Sequence, residues 1–236
     1  MAFVHGKGTE VFVDAVDFSS YFNNVDSTSM AEVGETTTFG KDSKTYVVGN
    51  KDGTISISGF FFFFQDETIQ LLFGGNDFVL SVGFDGLDAT DQCVFTKGNI
   101  TNYGVSSTVS DIVATAIEVQ SDSGIFNGKV LENATYTSTT NGTARDNTVS
   151  TSNGGGAFLI VSSASGTNPT LDAKITHSAD NSTYADLVTF TQATSTTAEV
   201  KTVAEGTTVN RYLKAVFTIG GATPSFTAII GFGRSN

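Results

Sequence analysis

An all-β fold is what this sequence predicts: a first sandwich or barrel domain carrying one short helix, followed by a second β-sandwich domain. Three observations predict it. Twenty-five Gly against two Pro, in 236 residues rich in Thr, Ser and Val, suit many short strands joined by tight turns. Residues 54–58, Thr-Ile-Ser-Ile-Ser, alternate without error, the period of a half-buried strand. Only one segment, residues 66–75, carries helical spacing.

Residues 9–18 read as an opening strand pair, with Val11 and Val13 alternating with Phe12 and Asp14 and a turn at Asp14 and Ala15. Residues 19–22 are one helical turn or a strand end, and 23–33 a weakly patterned strand. The polar run from Gly34 to Ser43 holds a single apolar residue, Phe39. It is too polar for a core and too rich in Thr for a disordered tail, so residues 34–52 are expected to form a projecting arm or hairpin. Asn50-Lys51-Asp52-Gly53 reads as a turn with Gly53 at positive φ.

Phe60, Phe61, Phe62, Phe63 and Phe64 form the most apolar point of the chain. The run is far too short to cross a bilayer, which takes about 20 residues. A strand is expected there, buried on both faces or with one face in a subunit contact. In the helix over 66–75, Asp66 and Glu67 favour the N-terminus, Ile69, Leu72 and Phe73 share a face, and Gly74-Gly75 stops it. Residues 78–84, 92–101 and 111–120 read as strands, with Val113, Ile117 and Val119 on one face of the last.

Residues 133–156, almost without large apolar side chains, read as a linker or surface segment between domains at 1–132 and 157–236. The second domain contains a repeat at an offset of 55 residues, 166–175 matching 221–230 as G-x-x-P-[ST]-φ-x-A-x-I, which holds both prolines, Pro169 and Pro224. Each copy follows an apolar strand, so each is expected to be a hairpin with Pro in its turn. Leu171, Ala173 and Ile175 form one inward face, as do Phe226, Ala228 and Ile230. With strands at 185–190 and 199–203 these make a sandwich of six to eight strands.

Acids outnumber bases 24 to 12, a net charge of −12 that argues against reading nucleic acid through its phosphates and suits a surface that repels DNA. The lone Cys93 rules out an internal disulfide and is expected to be buried beside Val94 and Phe95. No basic and then apolar leader opens the chain, so no signal peptide is expected. His177, Ser178 and Asp180 have the residue types of a hydrolase triad but are sequence neighbours that cannot converge, so no catalytic role is expected. Asp85, Asp88 and Asp91 lack the ligand alternation and closing Glu of a calcium loop and read as a solvated turn, so no metal is expected. Gly6-Lys7-Gly8 and Gly154-Gly155-Gly156 lack the context of a phosphate loop, and no cofactor is expected. His5 is expected to be solvated, and the sequons at Asn99, Asn133, Asn141 and Asn181 are read as chance.

From Glu35 to Gly59 the chain reads E-T-T-T-F-G-x-x-x-K-T-Y-x-x-G-x-x-D-G-T-x-x-x-S-G. That pattern, and the order strand, arm, strand, helix, strand set over residues 1–131, resembles the major tail tube proteins of long-tailed bacteriophages. The Phe run departs from the more polar residues usual there. The resemblance implies a virion structural protein assembled in the host cytoplasm. It would form rings of six, or of three if both domains line the tube, stacked axially into the conduit for DNA ejection. Other tail proteins would sit at the tube ends, DNA would pass without specific binding, and no membrane is involved. An extended loop of each such subunit docks on the neighbouring ring. Here that makes Phe39 and Tyr46 anchors, with Lys41 and Lys44 meeting acidic rims, and the Phe run a subunit contact.

The second half, through His177 to Leu187 and Asn210 to Leu213, resembles β-sandwich segments of phage tail and other structural proteins. The alternative is a capsid-decorating or tail-fibre-associated adhesion protein whose second sandwich binds a surface glycan. The absence of Trp counts against sugar stacking.

Overall fold

A computed structural model describes residues 5–75, 77–122 and 124–235. In chain order it contains β1 (Glu10–Val13), β2 (Val16–Asp17), β3 (Phe22–Glu35), β4 (Tyr46–Phe60), α1 (Phe63–Leu72), β5 (Phe78–Gly83), β6 (Gln92–Ser106) and β7 (Ala114–Ser121). There follow β8 (Phe126–Tyr136), β9 (Thr140–Asn141), β10 (Arg145–Asp146), β11 (Gly155–Ser178), β12 (Ala185–Thr189), β13 (Thr197–Val203) and β14 (Tyr212–Arg234). The fold is all-β with one short α-helix, as the composition predicts.

Contacts divide the chain into two units, neither continuous in sequence. One takes residues 1–20, 78–95 and 126–236, the other 21–77 and 96–125. The expected boundaries at 132 and 157 are therefore not where the contacts divide. Residues 133–156 are no linker: they complete β8, form β9 and β10, and begin β11. Their polar composition belongs to short edge strands that expose much of their surface.

The first unit is organised by β11 and β14, of 24 and 23 residues, which pair antiparallel from Gly155↔Arg234 to Ser178↔Tyr212. β13 flanks the first half of β11 and β8 the matching half of β14, whereas β12 flanks the second half of β11 and β9 and β10 that of β14. Two layers result, joined by the same two strands. Ala157, Leu159 and Val161 from one half of β11, and Leu171, Ala173 and Ile175 from the other, are buried in one core with Phe217, Phe226, Ala228 and Ile230. The inward faces predicted around the repeat are borne out. The other face of the first layer buries Phe158, Ile160 and Ile229 with Phe12, Phe95, Val130 and Cys93. Desolvation there pushes the Cys93 thiol up to about 12.

The repeat makes the bend between the layers, and not the two hairpin turns expected. Register shifts occur after Val161, Ser165 and Thr167, while Asn168 and Thr223 take φ of 48° and 49°. The copies lie opposite one another with a local two-fold relation. A Cβ on Gly166 would meet the Thr223 carbonyl oxygen at 2.8 Å and Cα of Pro224 at 2.9 Å, and one on Gly221 would meet the Asn168 oxygen at 2.6 Å and Cα of Pro169 at 2.9 Å. A bulge removes a residue from the ladder just as a turn does, so Pro is tolerated there.

In the second unit the strand order is β3-β4-β7-β6, with β6 contributing from Thr96 onward. Its buried apolar residues include Ile55 and Ile57 of β4, Ile100 of β6, Ile117 and Val119 of β7 and Ile69 of α1. Two expectations change here. Asn50–Gly53 is not a turn but part of β4, and Gly53 is packed closely there: a Cβ would lie 2.5 Å from Cδ1 of Ile125 and 3.0 Å from the Thr28 carbonyl oxygen. Nor is the Phe run a strand. β4 ends at Phe60, Phe61 and Phe62 connect, and Phe63 opens a helix placed three residues earlier than its acids and Gly pair suggest.

Gly166 and Gly221, at φ of 121° and 103° and against opposing backbone, test the two-fold bend. Gly166→Ala and Gly221→Ala should each lower the unfolding free energy in denaturant by about 1–3 kcal/mol, and by similar amounts. Indifference to either would show that the bend relaxes freely.

Candidate functional site

Burial along β4 changes abruptly at one residue. From Gly53 to Phe60 buried positions alternate with more open ones, whereas every residue from Tyr46 to Asp52 is exposed. The cause is strand count. β7 pairs with β4 only from Thr54 to Phe60, so beyond that point β4 has β3 alone. Gln120, at the end of β7, marks the limit: its Nε2 donates to the Gly53 carbonyl at 3.2 Å and to Asp52 Oδ1 at 2.5 Å. The remaining ribbon runs out to the turn with both faces in solvent, as the arm was expected to. Met30, Val33, Tyr46, Val47 and Val48 are all more than half exposed along it.

The Thr-rich motif shapes the ribbon's end. Thr36 N–H donates to the Thr45 carbonyl at 2.8 Å, and Thr45 N–H to Thr37 Oγ1 at 3.0 Å. Lys44 Nζ meets Glu35 Oε2 at 3.0 Å across the strands, so this lysine already has a partner at home. Gly40 supplies a φ of 82°. Phe39, beside it, is held fully out, with 109% relative exposure. Lys41 makes no ion pair among the described residues.

α1 is inside out. Its buried residues are Gln65 and Ile69. Gln65 is 1% exposed, and neither its amide oxygen nor its nitrogen has a hydrogen-bond partner. Phe60, Phe62, Phe63, Phe64, Leu71 and Phe73 are meanwhile 48–82% exposed. Phe73, expected on the inner face with Ile69, is thus half in solvent. Asp66 fixes the helix: it accepts from the Tyr103 hydroxyl of β6 and from Gln70 Nε2. Phe62 stacks on Tyr21 at 4.9 Å between centroids. Sequence reasoning missed Leu71. Its signal is the seven-residue spacing from Phe64, two helical turns along one stripe.

The remaining candidates fall to structural roles. His177 Nδ1 accepts from the Asn210 N–H at 3.2 Å, and burial, helped by the charge of Arg234, pushes the imidazole below its ordinary value. Asp180 receives N–H bonds from Thr183 at 3.0 Å and Ser182 at 2.9 Å and the Ser178 hydroxyl at 2.8 Å, which hold its carboxyl down to about 2. Asp91 Oδ2 accepts from the Asp88 N–H at 3.0 Å. Among the described residues no three His, Cys, Asp or Glu side chains gather as metal ligands. Gly6–Gly8 is a single 3-10 turn whose Lys7 N–H donates to exposed His5.

No protein-family model and no curated protein matches the chain. Among solved structures its fold is similar to a chain from the virion of a native gene transfer agent particle, at 15% identity and a TM-score of 0.44, over 52% of this chain and 97% of that one. It is also similar to the Dit protein of phage SPP1, at 11% identity and a TM-score of 0.40, over 95% and 98% of the two chains. A chain of the phage p2 baseplate in its activated conformation is similar at 9% identity and a TM-score of 0.39, over 97% and 98%.

An unpartnered buried amide costs about 1–3 kcal/mol, so Gln65→Leu should raise the urea midpoint with an unchanged slope. A lower midpoint would mean that the amide is satisfied. For Asp180 the folded value is depressed to about 2 from 3.8, so its contribution is full above 3.8 and fades as pH falls toward 2. Asp180→Asn should therefore make the loss of thermal stability between pH 4 and pH 2 shallower.

Proposed function

We propose that this protein is a structural subunit of a phage virion, closing into rings that stack as the tail tube through which DNA is ejected. The observation that carries the reading is the two-stranded ribbon. Isolated two-stranded ribbons are marginal in water, yet this one presents apolar side chains on a scaffold that gives them no cover. Such a segment is stabilised by a surface on another molecule, and the Glu35–Gly59 pattern that builds it is the part of the sequence that resembles tail tube proteins.

Ring closure answers a second feature. β3, 14 residues long, pairs only with β4 among the described strands, which leaves one edge open. An open edge templates uncontrolled pairing unless another copy covers it, and a closed ring removes edges altogether. Head-to-tail contacts between rings leave a stacking surface at each end, so growth is closed around the axis and open along it.

Charge enters at the bore. Six copies at −12 sum to about −72, and whatever part of this lines the lumen discourages phosphates from adhering. Screening confines the effect to about 8 Å at physiological salt, so it acts on sliding contact. Electron microscopy of the purified protein tests the whole reading. Stacked annuli of constant bore are the expected result, and a discrete particle at all concentrations would overturn it in favour of a decorating or adhesion role.

A further inference from the structure

We infer that the outward aromatic face of α1 is the acceptor for the ribbon tip of a second copy of this chain, an assignment that rests on the tube reading and names both halves of its axial contact. The two surfaces match in kind. The tip offers a fully exposed Phe39 with Lys41 unpaired two residues on. On α1, Phe63, Phe64, Glu67 and Leu71 fall on one stripe. Asp66 is occupied by Tyr103 and Gln70, whereas Glu67 has no partner among the described residues, and no basic residue stands in the last turn. One unpaired cation beside an aromatic therefore faces one unpaired carboxylate among aromatics.

Reach decides that the contact is between molecules. The tip follows from one end of β4 and α1 from the other, and β4 is 15 residues long. At about 3.3 Å per residue that separates them by roughly 45–50 Å, and α1 itself spans only about 15 Å. A ribbon cannot touch the helix at its own base. Because donor and acceptor are different surfaces at opposite ends of one extended strand, the contact is heterologous and repeats from copy to copy. Phe63, Phe64 and Leu71 alone present roughly 350 Å², a little under half of the ~800 Å² per partner in a stable interface, and the exposed ribbon flanks add to it. The inward Gln65 is the second sign, since a helix shaped for solubility alone would bury its phenylalanines and expose the amide.

The test uses full-length chains in sedimentation and electron microscopy, with circular dichroism and melting to verify that each variant is folded. Phe39→Ser removes the donor and Phe64→Ser the acceptor, and each should raise the critical concentration for axial growth at least tenfold. Mixed together, the two should form a single junction and stop, giving two-layer stacks and no tubes. Lys41→Glu and Glu67→Lys should each impair growth, and their combination in one chain should restore it. If Phe64→Ser and Glu67→Lys stack like the parent while Phe39→Ser does not, the acceptor is elsewhere and the assignment falls although the tube stands. If the parent chain never stacks, both fall.

Discussion

The constraint on which the rest depends is the end of a hydrogen-bond ladder. A β-strand with a neighbour on each side can bury one face against a core, and β4 does so from Gly53 to Phe60 between β3 and β7. When β7 stops, β4 keeps its backbone bonds to β3 but loses its second neighbour. Tyr46, Val47 and Val48 are left in water on a strand whose other half is core. The same strand is thus a folding element at one end and an unsatisfied surface at the other. Ile125 over Gly53 and the Gln120 amide over Asp52 and Gly53 fix where one becomes the other.

The other unit solves the opposite problem. β11 and β14 are too long for one flat layer, and they bend where the repeat sets Gly166 and Gly221 at positive φ, each against the other copy's proline. Because the strands are antiparallel, the two copies of the repeat arrive opposite one another and bend both strands at the same level. Both halves of each strand then bury one face in a shared core: Ala157, Leu159 and Val161 meet Leu171, Ala173 and Ile175 on β11, while on β14 the buried positions change parity across the bend, from Leu213, Ala215 and Phe217 to Phe226, Ala228 and Ile230.

What could be read directly from sequence was local. Period-2 alternation located the buried half of β4, and a polar run with one Phe located the arm. The Asp14 and Ala15 turn and the inward face Phe226, Ala228, Ile230 followed from the same rule. What could not be read had distant causes. Gly53 after Asn-Lys-Asp resembles a turn, but it lies inside β4, packed against Ile125, 72 positions further on, and the Thr28 carbonyl of β3. Five phenylalanines in a row carry no period, so nothing in them separates a strand from a loop entering a helix. The repeat was visible, yet its copies pair with each other, and a proline excluded from a ladder looks the same beside a bulge as in a turn. The ribbon was legible as an arm, whereas the outward face of α1 was not, because burial of Gln65 in place of Phe64 contradicts the apolar pattern itself.

The two ends of the ribbon also divide their tasks. An exposed ion pair such as Lys41 with Glu67 contributes about 0–1 kcal/mol, and the Lys44 to Glu35 bridge within the hairpin does no more. Burying one Phe side chain contributes about 1.5–3 kcal/mol, so the aromatics supply the energy of the proposed junction and the charges can only set its register. In a chain with twice as many acids as bases, most wrong placements of Lys41 would still find a carboxylate, but only one places Phe39 among phenylalanines at the same time. Affinity from apolar area and direction from a single charge pair would together let many weak, identical contacts assemble in one orientation while each subunit remains soluble on its own.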